Sequence, residues 1–385
     1  MSESPRQDDC CESPSDACLS PTTCVPGVTE GTGSYRLFIE GDELYDAMID
    51  AIGRARRSIR LETYIFAGDE IGVRFSEALQ AKSAEGVEVR VLIDSAGSMF
   101  WRPNQVVAEL KTAGVQVRWF RRWSWHHPFR YNRRNHRKLL VIDDDTAFLG
   151  GFNLHRDNSR SLVGDARWRD THVQVASDLA RDVGRQFDAV WNEDKHFADQ
   201  VSGKTTAVII SNIFRDCGKR FRCLYVDVLR RAERSVFLTT PYFVPDSRTR
   251  RALIEAASRG VDVRILVPAK SDVAMVQWAA RATYARLIAA GVRIFEYLPR
   301  VLHAKTAVID DLTGLIGSAN LDYRSFFVNY EITLLCRDRD VAKQLRVQFE
   351  ADLLEAKEVD SVNWSKRPWL QRGSEWLAWL IRRWL

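Results

Sequence analysis

The chain has 385 residues, of which 45% are hydrophobic, so it can bury a substantial core and we expect two similar lobes rather than one. Its formal net charge is +5, but residues 1–33 contribute −5, which leaves +10 on the remainder. A basic body suits an anionic substrate or surface, without distinguishing phospholipid from nucleic acid. We find neither the roughly 18 to 20 successive apolar residues of a membrane-spanning helix nor a signal peptide, and we therefore expect a cytoplasmic protein.

Residues 1–33 are rich in Ser, Pro, Asp, Gly and Thr and contain almost no bulky apolar residue. Such a segment cannot offset the entropy of ordering, so we predict a disordered acidic leader and a fold that begins near Tyr35. Neither histidine nor a C-x-x-C spacing accompanies the cysteines of this leader, so we favour an incidental role over metal binding or modification. We expect no metal site and no cofactor. The cysteines are Cys10, Cys11, Cys18 and Cys24.

An internal repeat follows the leader and predicts the fold class. Three segments of the first half recur in the second: 54–59 as 231–236, 85–92 as 259–266, and 113–115 as 290–292. Each half reads as helix, strand, helix, strand, helix, strand and a final strand pair. This alternation predicts an α/β protein of two pseudo-symmetric lobes, 34–200 and 201–357, each a mixed β-sheet flanked by helices. Four glycines are expected at helix-to-strand turns: Gly86, Gly114, Gly260 and Gly291.

The first half carries a ten-residue insertion ahead of its final strand pair. Residues 118–138 contain seven arginines, one lysine and no acid, interleaved with six aromatic residues. We interpret residues 118–134 as a lip that holds the protein on anionic lipid, because arginines bind phosphate and aromatic rings favour the membrane–water boundary. Binding of single-stranded nucleic acid and a merely solvated loop are the alternatives. His126 and His127 lack a nearby carboxylate or cysteine at ligand spacing, so we do not expect metal ligands there.

One short pattern occurs twice with the same spacing, ending the repeat of each half. The first copy is His136-x-Lys138-x4-Asp143, followed by Gly150 and Asn153, and the second is His303-x-Lys305-x4-Asp310, followed by Gly317, Ser318 and Asn320. On an extended strand, residues two apart point to the same face, so each copy presents an imidazole and an ammonium group together. This pair suits phosphate chemistry. A core histidine beside a solvated lysine is the alternative, which the repetition opposes.

The last 22 residues contain five tryptophans. Residues 375–385 read as a short helix that is apolar nearly all round and too short to span a bilayer. We predict that residues 358–385 form a Trp-rich amphipathic segment whose residues 374–385 lie in the membrane interface. The alternative is that this helix packs against the protein's own body.

The duplicated motif resembles the defining pattern of the phospholipase D superfamily, and within it the chain is most similar to bacterial cardiolipin synthases. The resemblance covers about residues 35–357 and includes LETY at 61–64, TPYFVP at 240–245 and SANLDYRS at 318–325. It implies that the lobes share one active-site cleft across a pseudo-twofold axis. It also implies the shorter branch of the family, bound peripherally at the cytoplasmic face of the cell membrane, because two N-terminal spanning helices found in some members are not seen.

The resemblance implies that His136 attacks phosphorus to give a phosphohistidine. His303 would protonate the leaving alcohol and later deprotonate the acceptor. The pattern is nearly symmetric, so the reverse assignment stays open. The positive charge would come from Lys138 and Lys305, and hydrogen bonds to the phosphate oxygens would come from Asn153, Ser318 and Asn320.

Carboxylates complete the predicted site. By analogy with the family, Asp170 and Glu331 would each orient the imidazole of the opposite lobe. Asp143 and Asp310 belong to the catalytic motifs, although we expect them to brace a turn rather than touch substrate. Gly151 stands where the second copy has Ser318, so the two copies are not expected to play equal roles. Three further histidines have no duplicated context and are expected to be structural or exposed: His155, His172 and His196.

The resulting prediction is a cardiolipin synthase-type phosphatidyl transferase that moves a phosphatidyl group from phosphatidylglycerol to a second phospholipid alcohol. Its partners would be phospholipids and an anionic membrane surface rather than nucleic acid. Hydrolysis of phospholipid is the first alternative, because only the acceptor differs. A nuclease is a second alternative that the basic lip sustains, and a non-catalytic lipid-binding scaffold is a third, which two intact motifs oppose.

Overall fold

The computed structural model describes residues 28–123, 131–194, 197, 206–213, 220–271 and 273–360, with five positions of the C-terminal segment: Trp364, Gly373, Glu375, Ala378 and Trp379. These residues form two α/β lobes, each built on one mixed sheet, which confirms the predicted fold class. The predictions on the leader cysteines, on His126 and His127 and on His196 fall outside the described residues.

The first lobe begins with a short strand and continues with alternating helices and strands. Its elements are β1 (Arg36–Phe38), α1 (Gly41–Arg54), β2 (Ser58–Thr63), α2 (Glu70–Ala84), β3 (Glu88–Asp94), α3 (Asn104–Thr112), β4 (Gln116–Phe120), β5 (Leu139–Ile142), β6 (Thr146–Gly150), α4 (Arg160–Val163), β7 (His172–Ala176) and α5 (Asp178–Trp191).

The second lobe repeats this succession. Its elements are β8 (Ala207–Ser211), α6 (Arg220–Arg231), β9 (Ser235–Thr239), α7 (Ser247–Ser258), β10 (Asp262–Pro268), α8 (Ala274–Ala289), β11 (Arg293–Tyr297), β12 (Thr306–Ile309), β13 (Thr313–Gly317), α9 (Tyr323–Phe327), β14 (Ile332–Arg337), α10 (Arg339–Leu354) and β15 (Ala356–Glu358).

The two sheets have the same strand order. It is β1-β7-β6-β5-β2-β3-β4 in the first lobe and β8-β14-β13-β12-β9-β10-β11 in the second, where β15 adds an edge strand beside β11. Strands β2, β3 and β4 are parallel, as are β9, β10 and β11, and the other neighbours are antiparallel. Sequence analysis did not predict the elements that follow each final strand pair, namely β7 with α5 and β14 with α10.

Local sequence explains where the crossover helices begin and end. The Asp69 carboxylate caps α2 by accepting hydrogen bonds from the backbone N–H groups of Ile71 and Gly72, both at 3.1 Å. The helix ends before Gly86, whose φ of +87° lies in the left-handed region that favours glycine. Gly260 has the equivalent place after α7, with φ of +90°. The helix-to-strand turns predicted from the glycines are therefore present in both lobes.

Three hydrophobic clusters hold the lobes together. One packs the first sheet against α1, α2 and α3, and another packs the second sheet against α6, α7 and α8. The third lies between the lobes and combines side chains of both sheets with α5 and α10, including Phe187, Ile316 and Phe349. The lobes therefore share a continuous apolar interface, which fixes the position of one sheet relative to the other.

The ends of the chain differ from expectation. Residues 28–33 belong to the predicted disordered leader, but Val28 is buried in the core of the second lobe. The Gly31 N–H donates to the Arg337 carbonyl at 3.1 Å, and the Gly33 N–H donates to the Asp338 carboxylate at 2.9 Å. Backbone hydrogen bonds, which composition does not reveal, attach this arm. The remainder of the leader, 1–27, is outside the described residues.

The described side chains of the C-terminal segment pack on the second lobe. Ala378 is buried, and Trp364 stacks on Tyr284 with ring centroids 5.1 Å apart. The Arg250 guanidinium lies over the Trp379 ring at 5.2 Å. These contacts favour the alternative in which the segment covers the protein's own body. Within the described residues, no helix has the length and hydropathy that crossing a membrane requires.

Candidate active site

The strand pairing brings both motif histidines to the same edge of their sheets. Strand β5 runs antiparallel to β2 with Leu139 opposite Glu62, so His136 lies beyond the carboxyl end of β2. His303 has the same position relative to β9. The two imidazole rings face each other across the lobe boundary, with centroids 6.4 Å apart and ring planes at 74°. A single cleft therefore contains both imidazoles.

Short cross-lobe bridges fix the backbone at each histidine. The His136 N–H donates to the Tyr330 carbonyl at 2.9 Å, and the His303 N–H donates to the Arg169 carbonyl at 2.7 Å. Each carbonyl belongs to the residue just before a predicted carboxylate of the other lobe. The backbone thus delivers each carboxylate to the imidazole opposite.

Each imidazole contacts that carboxylate through its Nδ1 atom. The distance is 3.1 Å from His136 Nδ1 to Glu331 Oε2 and 2.5 Å from His303 Nδ1 to Asp170 Oδ2. Because an ionised carboxylate only accepts hydrogen bonds, Nδ1 carries the proton and Nε2 is left with its lone pair. Both rings can therefore act through Nε2.

The two carboxylates have different surroundings. Glu331 accepts hydrogen bonds from the hydroxyls of Ser318 at 2.5 Å and Ser325 at 2.9 Å. Asp170 accepts one from the Thr171 N–H at 2.8 Å and lies against Gly151, where a Cβ atom would collide with the carboxylate. A serine at position 151, like Ser318 of the second copy, would therefore clash with Asp170, which explains why the first copy has glycine there.

Both motif lysines are buried beside the histidines. Lys138 donates to the His136 carbonyl at 2.7 Å, and Lys305 donates to the His303 carbonyl. The Lys138 ammonium also lies 5.2 Å from the centre of the Tyr64 ring. Burial and the positive charge of Lys305 lower the pKa of Lys138 to about 7. Holding two buried ammonium groups close together therefore costs free energy, and a bound anion would offset that cost.

The same electrostatics set the protonation of the other groups. Burial lowers the pKa of His136, and burial together with Lys305 lowers the pKa of His303. Burial opposes ionisation of Asp170, but Lys305 and His303 outweigh it and lower the pKa of that carboxyl. At neutral pH the site therefore contains neutral imidazoles and an ionised Asp170.

The predicted phosphate ligands are buried near the same sheet edges. Asn153 accepts a hydrogen bond from the Ile65 N–H through Oδ1 at 3.1 Å, which turns its amino group the opposite way. The Asn320 N–H donates to the Ser325 hydroxyl at 3.1 Å. Ser318 differs from expectation, because its single hydroxyl proton is directed to Glu331. Its hydroxyl is placed to hold Glu331, which in turn contacts His136.

The motif aspartates are not in the cleft. Asp143 is seven residues of mostly extended chain from His136, a separation of up to about 23 Å at ~3.3 Å per residue. Its carboxylate accepts hydrogen bonds from three successive backbone N–H groups, those of Arg56, Arg57 and Ser58, at 2.7 to 2.8 Å. Asp310 binds residues 233–235 in the same way. Although both were grouped with the catalytic motifs, they brace a turn at the far end of the strands.

Sequence reasoning assigned no role to several side chains around the histidines. The Tyr64 ring lies 5.1 Å from the His136 ring, and the Trp168 ring lies 5.3 Å from the His303 ring. Beneath His136, Arg137 forms a fully buried ion pair with Glu62 at 2.5 Å. The strand Ser58–Thr63 alternates polar and apolar residues, so its pattern did not mark Glu62 as a buried acid.

His155 and His172 are buried, in agreement with a structural place. His155 packs between Trp101 and Trp168, with centroids 4.6 and 5.0 Å away. Among the described residues, His, Cys, Asp and Glu side chains form no group of three that could hold a metal ion.

Comparison with known proteins identifies the family to which this chain belongs. A family profile described as "Cardiolipin synthase, PLD-like domain" matches residues 48–191 and 225–353. The chain is 36% identical to cardiolipin synthase A of Pseudomonas putida over 361 residues, which cover 90% of this chain and 74% of that protein. The chain belongs to the cardiolipin synthase family of phospholipase D-like enzymes. Cardiolipin synthase of Clostridium perfringens is 33% identical over 90% of this chain and 75% of its own length.

Solved structures support the fold of this family member. Phosphatidylserine synthase of Haemophilus influenzae superposes with a TM-score of 0.70 at 14% identity, covering 93% of this chain and 97% of that chain. Polyphosphate kinase of Porphyromonas gingivalis reaches a TM-score of 0.61 at 16% identity, covering 86% of this chain and 49% of that chain. The two profile matches fall one in each predicted lobe, whose end residues stay a prediction.

Proposed function

We propose that this family member transfers a phosphatidyl group from phosphatidylglycerol to a second phospholipid alcohol through a phosphohistidine intermediate. The observation that carries the proposal is the pair of imidazoles 6.4 Å apart, each held by a carboxylate of the opposite lobe. Two Nε2 atoms facing one cleft suit attack on phosphorus from one side and proton transfer to the leaving oxygen from the other.

A phosphodiester anion would complete the electrostatics of the cleft. Its charge repels nucleophiles, and the two buried lysines offset that charge. The anion would in turn relieve the repulsion between Lys138 and Lys305 and restore the positive charge of Lys138. The amino group of Asn153 is turned away from its Ile65 contact and would donate to a non-bridging oxygen, and we assign Asn320 the same role. Ser318 is proposed as a positioning residue that orients His136 through Glu331.

We assign His136 as nucleophile and His303 as acid and base. His136 Nε2 forms an N–P bond while the P–O bond to the leaving glycerol breaks, and that oxygen takes the Nε2 proton of a His303 imidazolium. The bound phosphodiester would favour this imidazolium, because its negative charge offsets that of Lys305, which otherwise lowers the pKa of His303. His303 then takes the proton of the acceptor hydroxyl, whose oxygen attacks phosphorus and breaks the N–P bond. The shorter contact supports this direction, because Asp170 lies 2.5 Å from His303 and would stabilise its imidazolium. Glu331 divides its charge between His136 and two serine hydroxyls.

The test is incubation of purified protein with phosphatidylglycerol, alone and with phosphatidylethanolamine, followed by mass identification of lipids and of the modified peptide. We expect cardiolipin, free glycerol and a His136 peptide that carries the phosphatidyl group through an N–P bond, and His136→Ala should be inert. Phosphatidic acid as the main product would mean hydrolysis, cleavage of an oligonucleotide would mean a nuclease, and a label on His303 would reverse the two roles.

We further propose that the protein works at the cytoplasmic face of the membrane, with residues 118–134 in contact with anionic lipid. In this segment Arg122 lies over the Trp119 ring at 5.1 Å, and Trp123 is half exposed. Arginine beside tryptophan suits the boundary between head groups and acyl chains. For residues 374–385, the buried Ala378 supports packing on the second lobe instead of the membrane contact that we predicted. Deletion of 374–385 should therefore destabilise the fold rather than selectively abolish vesicle binding.

A further inference from the structure

Exposed apolar side chains are unevenly distributed over this molecule. Among the described residues, ten large apolar side chains are strongly exposed. Nine of them lie at the carboxyl ends of the parallel strands. Eight occur in the loop that follows such a strand or in the first five residues of the next helix, and Leu354 lies beside the end of β11. Only Val347, on α10, is elsewhere. The nine are Val73, Met99, Phe100, Trp123, Val273, Met275, Trp278, Leu298 and Leu354.

This edge is also where the cleft opens. In the first lobe, the loop after β3 contains Phe100, which is 82% exposed. The same loop reaches the first motif histidine through Tyr64, because the Ser98 hydroxyl donates to the Tyr64 carbonyl at 3.1 Å and the Tyr64 ring lies 5.1 Å from the His136 ring. The neighbouring Trp101 packs on His155. Phe100 is therefore the exposed tip of a loop that contacts Tyr64, the aromatic neighbour of His136.

The second lobe presents equivalent tips. The loop after β10 and the start of α8 expose Val273, Met275 and Trp278, each by 40 to 41%. The residue after β11, Leu298, is 57% exposed. Its N–H donates to the backbone carbonyl of Glu355, and the preceding residue, Leu354, is 90% exposed. Residue 298 is five positions before His303. Apolar tips thus border the cleft on both lobes, although only the first lobe has the predicted lip.

The charge of the same loops identifies what would cover them. Loops 64–69, 95–103, 121–123, 269–273 and 298–302, with residue 355 beside Leu354, contain five cations and three acids, which are Asp69, Asp272 and Glu355. The cations are Arg102, Arg121, Arg122, Lys270 and Arg300. Apolar tips beside these cations match a bilayer with anionic head groups, where the tips enter the acyl region and the cations stay with the phosphates.

We propose that this rim, contributed by both lobes, is the docking face for an anionic phospholipid bilayer and points the cleft into the membrane surface. The inference rests on the proposed function, because a lipid substrate keeps its acyl chains in the bilayer while its phosphodiester enters the site. Docking through both lobes places the cleft mouth directly over the head groups, so a phosphodiester reaches the histidines without the lipid leaving the membrane.

The experiment uses the full chain and a matched pair of exposed side chains. Leu298→Ser alters the rim, whereas Val347→Ser alters a side chain of nearly equal exposure, 57% against 58%, away from it. A triple variant, Phe100→Ser, Trp278→Ser and Leu298→Ser, removes tips of both lobes. Binding is measured by co-sedimentation with phosphatidylglycerol vesicles, and activity is measured on those vesicles and on monomeric short-chain phosphatidylglycerol.

We expect the triple variant to bind vesicles at least about tenfold more weakly, with Leu298→Ser intermediate and Val347→Ser unchanged. Activity on vesicles should fall in parallel, while turnover of the short-chain lipid stays at the wild-type level. Unchanged vesicle binding, a matching loss on the short-chain lipid, or a change of oligomeric state in gel filtration would each overturn the proposal. A wild-type protein that binds vesicles through the rim but turns over neither lipid would contradict the proposed function alone.

Discussion

The two lobes carry the same His-x-Lys motif, but different residues support it in each lobe. Beneath His136, Arg137 pairs with Glu62 and Arg134 pairs with Asp94 at 2.8 Å, and all four side chains are buried. Uncharged residues occupy the equivalent positions of the second lobe, as the strand registers show. The pairs of equivalent positions are Glu62 and Thr239, Asp94 and Pro268, Arg134 and Val301, and Arg137 and Ala304.

The loop ahead of each histidine explains the difference. In the first lobe this loop is the longer one, and Arg134 donates to the carbonyls of Tyr131 at 2.7 Å and Phe120 at 3.3 Å, near its two ends. The Asn135 N–H donates to the Asp94 carboxylate at 2.9 Å. Buried charges thus hold the long loop of the first lobe in place. The loop ahead of His303 in the second lobe is shorter and has uncharged residues at the equivalent positions. The comparison teaches that the geometry of the histidines is shared while the means of holding it has diverged.

Breaking the buried support should have the largest effect. Arg137→Met leaves the Glu62 carboxylate buried beside Asn135 without its ion-pair partner, which is expected to lower the free energy of unfolding by about 3 to 5 kcal/mol. The double variant Glu62→Leu/Arg137→Met removes both charges, as Thr239 and Ala304 do in the second lobe, and should recover most of that loss. Urea unfolding followed by circular dichroism measures both. A double variant as unstable as the single one would show that the ion pair itself is required.

Exchanging the small residues beside the carboxylates tests the asymmetry of the cleft. Gly151→Ala pushes a Cβ atom into the Asp170 carboxylate and misplaces His303, so kcat/KM should fall at least about 100-fold. Ser318→Ala removes one hydrogen bond to Glu331, and a loss of about tenfold is expected. Initial rates with radiolabelled phosphatidylglycerol give both values, with the thermal midpoint as the control for folding. The comparison fails if Ser318→Ala is the more damaging change.

Equivalent buried positions should titrate in opposite directions. Burial lowers the pKa of His155 to about 3 and raises the pKa of Asp322, its counterpart after the second motif, to about 7. Unfolded His155 gains a proton near pH 6.5 and the folded form does not, so its contribution to stability falls as the pH drops from about 6.5 to 3. Unfolded Asp322 loses its proton near pH 3.8 and the folded form keeps it, so its contribution falls as the pH rises from about 4 to 7.

Each slope is about 1.4 kcal/mol per pH unit, and the two oppose each other between about pH 4 and 6.5. Asp322→Asn should therefore expose a loss of stability on acidification, and His155→Gln should expose a gain. Urea titrations at pH 4.5, 5.5 and 6.5 measure the slopes. Parallel pH profiles for wild type and both variants would contradict the opposing titrations.

The edge strand β15, which among the described residues has a place only in the second sheet, should contribute least. Arg293 on β11 and Glu358 on β15 form a two-pronged ion pair at 2.8 Å, with both side chains 44% exposed. Because solvent screens such pairs, Arg293→Ala is expected to cost about 0.5 kcal/mol or less. Urea unfolding in low and high salt checks this, and a loss above about 1 kcal/mol would mean that β15 matters more to the sheet than its exposure indicates.

Local pattern in the sequence was sufficient for much of this architecture. The repeat and the glycines predicted two α/β lobes, because helix and strand periodicity and helix ends depend on residues near one another in the chain. The spacing of His and Lys likewise predicted that they share a face. Asp170 and Glu331 came from resemblance to a family, since nothing local links them to imidazoles more than 130 residues away.

Only the tertiary structure decided what each polar group contacts. It placed Asp143 on backbone N–H groups far from the cleft, gave the Ser318 proton to Glu331, and attached residues 28–33 to the second lobe. Composition and periodicity report whether a residue prefers water or the core, but a hydrogen bond or ion pair depends on which distant segment packing brings within about 3 Å. The sequence alone therefore determined the two lobes and their paired motifs, and packing determined the partners that orient them.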